Sequence, residues 1–238
     1  MSRVKDDNDL VVPGDLIYKG DNLYSDAGTY KEDEKIYSKH IGVVRYSNNG
    51  INVVPMSGRY IPSEGDIIIG EVTRVSYSRW TVDLNSPYEG TLGIEDATDE
   101  YVDLDEDDLT DYFEVGDAIV VKVDSVSESM DVDLSMDDRR CKKLSGGRVI
   151  EIAPSKVPRV IGKQGTMVKQ INEKTDCNII VGQNGQVWIN GENPNLAARA
   201  VKKVEREAHT DGLTSKIGEW LNEQLGIEPE EETEEGDR

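Results

Sequence analysis

Residues 148–209 read RVIEIAPSKVPRVIGKQGTMVKQINEKTDCNIIVGQNGQVWINGENPNLAARAVKKVEREAH. A strand (RVIEIA) leads into a short segment opened by Pro154, then into Gly162-Lys163-Gln164-Gly165, then into a helix (TMVKQINEKTD) with Met167, Val168 and Ile171 apolar. Two short strands follow, CNIIVG and QVWING, joined around Asn184-Gly185, a pair that takes positive φ readily and so marks a hairpin. A last helix starts at Asn193-Pro194, a capping residue followed by proline in the first turn, with Leu196, Ala200, Val201, Val204 and Ala208 on one stripe. The predicted order is strand, helix, helix, strand, strand, helix.

That order, with VIGKQG between the first two helices, resembles the type I KH domain, here bounded at 145–210, whose GxxG loop clamps about four backbone nucleotides. Glycines let the backbone approach phosphate with no Cβ in the way, and amides at the start of the following helix point toward the anion. Lys163 adds charge where phosphates would pass, and Arg159 and Lys169 lie one short element away on either side. Val160 and Ile161 before the loop, with Ile179 and Val181 on the next strand, are candidates for an apolar groove on which bases rest. Two glycines three apart occur in any tight turn; the basic flanks, the Val-Ile pair and the complete element order are what point to RNA. Trp188 has two readings, a core residue or a stacking platform for a base.

The net charge of −21 over 238 residues runs against a phosphate-binding partner, because such binding is driven by Lys and Arg releasing counterions. Charge is, however, partitioned along the chain. Residues 1–62 carry 8 basic and 9 acidic side chains, 63–137 carry 3 and 22, 138–209 carry 14 and 7, and 210–238 carry 2 and 10. A basic module of +7 therefore adjoins an acidic one of −19, so that one segment meets phosphate and the others meet something else or solvent. No apolar run approaches the ~20 residues that span a bilayer, and the N-terminus has no signal-peptide stretch, so a soluble, cytoplasmic protein with no membrane partner is expected. With two cysteines and two histidines, no metal site, cofactor or disulfide framework is expected.

Residues 63–137 contain GDIIIGEVTRVSYSRWTVDL, GTLGIEDA and FEVGDAIVVKVDSVSESMDVDLSM. Alternating β-branched residues between Gly-containing turns predict strands near Ile67–Val75, Trp80–Leu84, Gly90–Ile94, Ala118–Val126 and Met130–Leu134. The pattern resembles an S1-type OB-fold, a barrel that binds single strands through aromatics and a basic groove. Arg74, Tyr77, Arg79, Trp80 and Lys122 are the candidates for that face. Gly93 stands where many members of the family carry histidine. With three basic residues the segment is expected to bind RNA weakly on its own, or to serve as spacer or pore wall. Residues 95–117 hold twelve acids and no Lys or Arg, and read as a solvated loop that repels RNA.

Residues 1–62 hold VVPGDLIY, GTYKEDEKIYSKHIGVV and INVVPMSGRYIPSEGD, short strands with Gly and Pro turns that predict another small β-domain. These strings, leading into an S1-type barrel and then a KH domain, resemble the ribosomal-RNA-processing protein 4 family, RNA-binding cap subunits of the archaeal exosome. The implied fold is multidomain, mainly β and then α+β. The resemblance implies that the N-terminal domain seats the subunit on a ring of phosphorolytic RNase subunits, with Pro13, Gly14, Asp15, Arg59, Tyr60 and Pro62 in the docking domain. It implies a cap of three subunits, of this chain or mixed with a paralogue, that has no catalytic residues and recruits single-stranded, adenine-rich RNA for degradation. The intact GKQG loop and the acidic composition favour an archaeal source. A transcription elongation or antitermination factor also joins S1 and KH modules, but usually with two KH domains, and a ribonuclease would need a larger α/β domain. In residues 211–238, Leu213, Ile217, Trp220, Leu221 and Leu225 repeat at helical spacing and predict an amphipathic helix packed on the KH domain or a neighbour. The closing EPEEETEEGDR reads as a solvated tail.

Overall fold

A computed structural model of the chain describes residues 2–7, 9–26, 28–47, 50–55, 58–98 and 108–226. The closing acidic tail and the middle of the acidic stretch 95–117 lie outside the described residues. The chain divides into two compact units, Met1–Arg59 and Tyr60–Arg238.

The first unit is all β. Strands β1 (Ser2–Arg3), β3 (Leu16–Lys19), β6 (Lys35–Ser38) and β5 (Thr29–Glu32) form one sheet. Strands β2 (Leu10–Val11), β7 (Gly42–Tyr46), β8 (Gly50–Pro55) and β4 (Tyr24–Ser25) form the other. Val11, Ile17, Ile36, Val44, Ile51 and Val53 fill the core. The Pro13-Gly14-Asp15 string is a turn: Asp15 N–H donates to Val12 C=O at 3.0 Å, Gly14 has φ +87°, and Asp15 Oδ2 accepts from Val12 N–H at 3.2 Å. Proline at the second position and glycine at the third give a type II turn. Two further Gly-Asp pairs, Gly65-Asp66 and Gly116-Asp117, recur in the same arrangement, with Asp66 N–H donating to Ser63 C=O and Asp117 N–H to Glu114 C=O, both at 3.1 Å.

In the second unit, β9 (Ile67–Val75), β10 (Arg79–Asp83), β11 (Glu89–Gly93), β12 (Ala118–Val126) and β13 (Val132–Ser135) close a five-stranded barrel. A parallel β11–β13 pair and an antiparallel β12–β13 pair complete the closure. A one-turn helix α1 (Ile94–Ala97) follows β11, and β14 (Lys142–Leu144) adds to β12 at the barrel wall. The strands match those predicted to within two residues. Period-two alternation sends Ile68, Val72, Trp80, Val82, Leu92, Ile119 and Val121 into the barrel interior.

The KH module has the predicted order: β15 (Arg148–Glu151), α2 (Val157–Ile161), α3 (Thr166–Thr175), β16 (Cys177–Val181), β17 (Gln186–Gly191) and α4 (Pro194–Arg206). Its sheet runs β15-β17-β16, both pairs antiparallel. Asn193 precedes α4 as expected but makes no side-chain capping bond. The C-terminal helix α5 (Leu213–Leu225) packs on its own KH module through Leu213, Ile217 and Leu221. Arg199 lies over the Trp220 ring at 5.4 Å.

Alternation on the KH sheet explains how the two modules of this unit join. Ile179, Val187 and Ile189 face the helices, whereas Ile180 and Trp188 face the barrel and pack with Ile67, Ile69, Val120 and Leu144. Trp188 is therefore the center of an inter-module core and not a base platform; it is 6% exposed, and its Nε1 donates to Gly146 C=O at 2.8 Å. The β16–β17 turn plugs into the barrel wall. Gln183 N–H donates to Ile67 C=O at 2.9 Å, and its Oε1 accepts from Ile67 N–H at 2.7 Å. The buried Asn184 Nδ2 donates to Ile69 C=O at 2.6 Å and Leu84 C=O at 2.9 Å. Barrel and KH module thus meet through backbone hydrogen bonds as well as apolar packing.

Candidate nucleic-acid interface

The GKQG loop ends α2 and starts α3, and its conformation needs glycine at both ends. Gly162 has φ +78°, and a Cβ there would stand 2.7 Å from Met167 N. Gly165 has φ +77° with nothing within 4 Å, so only backbone conformation, not space, selects glycine. Gln164 is also left-handed at φ +55°. Lys163 and Gln164 are exposed, and α3 begins without a side-chain cap, so its N-terminal amides are unclaimed by protein side chains.

A groove of about 640 Å³ runs beside the loop. Val157, Pro158, Ile161 and Gly162 form one wall, Ile180, Val181 and Gln183 another, and Ile67 and Val120 of the barrel a third. Arg139, Arg140 and Lys142, from the segment linking the modules, complete it. Two expected groove residues are displaced: Val160 and Ile179 point into the KH core, 0% and 5% exposed. Ile161 and Val181 line the groove as expected, and Ile180 takes the place assigned to Ile179. Arg159 and Lys169 are exposed on α2 and α3; Lys169 makes only an exposed pair with Glu173 at 3.7 Å, of little energetic weight.

On the barrel, Arg74, Tyr77 and Arg79 come together at the exposed β9–β10 hairpin, with Tyr77 69% exposed. Trp80 does not join them. Its neighbor Arg79 points out, so Trp80 points in; it is fully buried, its Nε1 donating to Phe113 C=O at 3.0 Å. Lys122 is also elsewhere: it pairs in register with Ile67, seven residues or about 23 Å of strand from Arg74, and holds Asp124 at 3.3 Å. Between these ends, exposed Glu71, Asp83 and Glu89 stand directly side by side across three strands, a carboxylate row that repels phosphate. A second acidic surface is the cleft of Glu95, Asp96, Asp124 and Asp137. Burial, then neighboring Asp124, Glu95 and Asp133, raises the Asp96 carboxyl above the usual range. Among the described residues no group of His, Cys, Asp and Glu is placed to hold a metal ion.

Of the expected docking residues, Pro13, Gly14 and Arg59 are exposed, while Tyr60 and Pro62 are buried. Tyr60 lies in the barrel core and its hydroxyl donates to Asp66 Oδ2 at 2.6 Å, so neither it nor Pro62 offers a docking surface. What the strings did not reveal is an apolar patch on the first unit: Leu10, Val12 and Ile41 are about half exposed at 58%, 47% and 53%, on and beside the paired strands β2 and β7.

Three family models match consecutive parts of the chain. They are described as "Exosome RNA binding protein RRP4 N-terminal domain" over residues 8–57, "RRP4, S1 domain" over 59–125 and "KH domain" over 147–195. The exosome complex component Rrp4 of Methanothermobacter thermautotrophicus is 41% identical over 233 residues, covering 97% of this chain and 73% of that protein. The Rrp4 of Pyrococcus furiosus is 45% identical over 222 residues, covering 91% and 84%. A crystal structure assigned as an exosome complex RNA-binding protein matches with TM-score 0.65 and 34% identity, covering 71% of this chain and 99% of that one.

Proposed function

The chain belongs to the Rrp4 family of exosome components, and on that premise we propose that it is a non-catalytic cap subunit that captures single-stranded RNA and passes it to a phosphorolytic ring. The observation that carries this is the GKQG loop, with two left-handed glycines, an exposed lysine and an uncapped helix start beside an apolar groove. The exposed Arg74, Tyr77 and Arg79 at the barrel hairpin are the second contact, held to one end of the barrel face by the carboxylate row. Docking is assigned to the first unit, through Pro13, Gly14, Asp15, Arg59 and the Leu10, Val12, Ile41 patch. Adenine-rich RNA is the proposed preferred substrate, a cap of three subunits (this chain alone or mixed with a paralogue) the proposed assembly, and the cytoplasm the proposed location. Among the described residues no helix is long and apolar enough to cross a membrane.

Purified protein is expected to bind a single-stranded oligoribonucleotide and leave it uncut, and phosphate-dependent decay should appear only when ring subunits are added. Robust phosphorolysis by the chain alone would overturn the assignment. Within the loop, Gly165→Asp is expected to separate binding from folding. Space is open there, aspartate tolerates the left-handed region, and a carboxylate at the start of α3 favors the helix while repelling phosphate. RNA affinity should fall by about tenfold or more, equivalent to ~1.4 kcal/mol, while the protein stays folded at a cost of about 1 kcal/mol for a non-glycine residue in the left-handed region. Lys163→Ala should reduce the dependence of log K on log salt by about 0.7, the share of one single-strand phosphate contact. If both variants bind like the parent, the loop is not the main contact.

A further inference from the structure

We propose that the RNA strand held by the GKQG loop is gripped from both sides, with Arg139 and Lys142 of the inter-module segment contacting phosphates across the groove from the half-buried Ile161, Ile180 and Val181, which seat the bases. This inference rests on the RNA-capture assignment above and adds a second wall to it.

The distribution of cations supports it. Most basic side chains of the 138–209 segment are engaged locally: Arg148 on Asn195 and Pro194 C=O, Lys174 on Gly218 C=O, Arg199 on Gln224, Lys202 on Glu205 and Lys203 on Glu207. Lys143 pairs with Asp117 at 2.5 Å, and Arg140 is neutralized by Asp138 at 2.8 Å, which holds that carboxyl well below the usual range. Six side chains of that segment make no ion pair or hydrogen bond among the described residues: Arg139, Lys142, Lys156, Arg159, Lys163 and Arg206. Arg139 and Lys142 line the groove, and Arg159 and Lys163 each follow directly on a lining residue, Pro158 and Gly162. The local excess of unpaired positive charge in a strongly acidic chain therefore gathers around one apolar cleft, which is the complement of a strand with phosphates outside and bases inside.

The two walls also form one rigid seat. Lys142 is paired in register with Val120, another lining residue, so its position is set by the barrel ladder and not by a free linker. Gln183 lines the same groove while its amide and side chain bond to Ile67 of the opposing wall. A strand entering here would meet a preorganized cleft, which limits the ordering cost of binding.

The test uses the full chain and a short single-stranded oligoribonucleotide. Arg139→Glu/Lys142→Glu should weaken binding by about tenfold or more and lower the salt slope by about 1.4, two single-strand phosphate contacts. Both side chains are exposed, so the thermal midpoint should not move. Independently of any variant, photo-crosslinking of the parent to 4-thiouridine RNA should label peptides on both walls, around residues 139–142 and 157–163. Unchanged affinity and slope, or crosslinks confined to the 157–163 wall or to the barrel hairpin, would overturn the two-sided seat while leaving RNA capture by the chain intact. Failure of the parent to bind single-stranded RNA would instead overturn the functional assignment itself.

Discussion

Trp80→Ala is expected to lower the stability of the barrel-containing unit by about 3–5 kcal/mol, the range for removing a fully buried large aromatic. Two losses combine. The indole contacts Phe113 edge-on at a ring separation of 5.3 Å and Tyr112 at 6.4 Å, so alanine leaves a cavity among aromatic and branched side chains. The Phe113 carbonyl also loses its Nε1–H donor inside the core. Tyr77→Ala three residues earlier is the control: with Tyr77 largely exposed, it should change stability by no more than about 0.5 kcal/mol and act only on RNA binding. Urea denaturation followed by circular dichroism, with RNA affinity measured where both variants remain folded, separates the two. A Trp80→Ala protein as stable as its parent would mean the ring stands at the surface and is free to stack on a base.

The contrast between these two aromatics shows how far the sequence could be read. Strands β9 and β12 were legible to the residue, because long alternating runs of β-branched side chains leave one register that buries an apolar face. The same alternation forbids placing Arg79 and Trp80 on one face, and likewise separates Ile179 from Ile180 and Val187 from Trp188. Those assignments were recoverable from local periodicity alone. Others were not. Nothing near Asn184 in the chain indicates that its amide will cap carbonyls of Ile69 and Leu84, more than 90 residues away, since Asn-Gly is already accounted for by the hairpin it turns. Nor could Arg139 and Lys142 be placed at the groove before β14 was known to pair with β12. The GKQG loop was legible because its conformation is local, set by glycines and the helix that follows, whereas the opposite wall arises from tertiary placement.

Removal of residues 1–59 is expected to abolish association with the ring subunits while leaving RNA binding and the remaining fold in place. Among the described residues the first unit has its own core, and the barrel and KH cores draw every buried member from Tyr60 onward, so the cut divides none of these apolar clusters. The position of the cut matters. Deleting residues 1–62 also takes the buried Tyr60 ring out of the barrel, with the hydroxyl that donates to Asp66, and should cost about 3 kcal/mol or more of stability. The Asp66 carboxyl, whose pKa burial raises in the intact chain, would also lose the Tyr60 hydrogen bond that favors its ionized form. A comparison of the two truncations by co-purification with the ring and by thermal unfolding therefore separates docking from folding. Both should fail to dock, and only the longer deletion should melt early. Leu10→Glu/Val12→Glu in the full chain provides the finer probe: both side chains are about half exposed, so the fold should survive while an apolar docking face would gain two carboxylates. Ring association retained by the 1–59 deletion would move docking to the barrel or the KH module. If only the double glutamate variant still docks, the first unit binds through the Pro13-Gly14-Asp15 turn or Arg59 and not through the apolar patch.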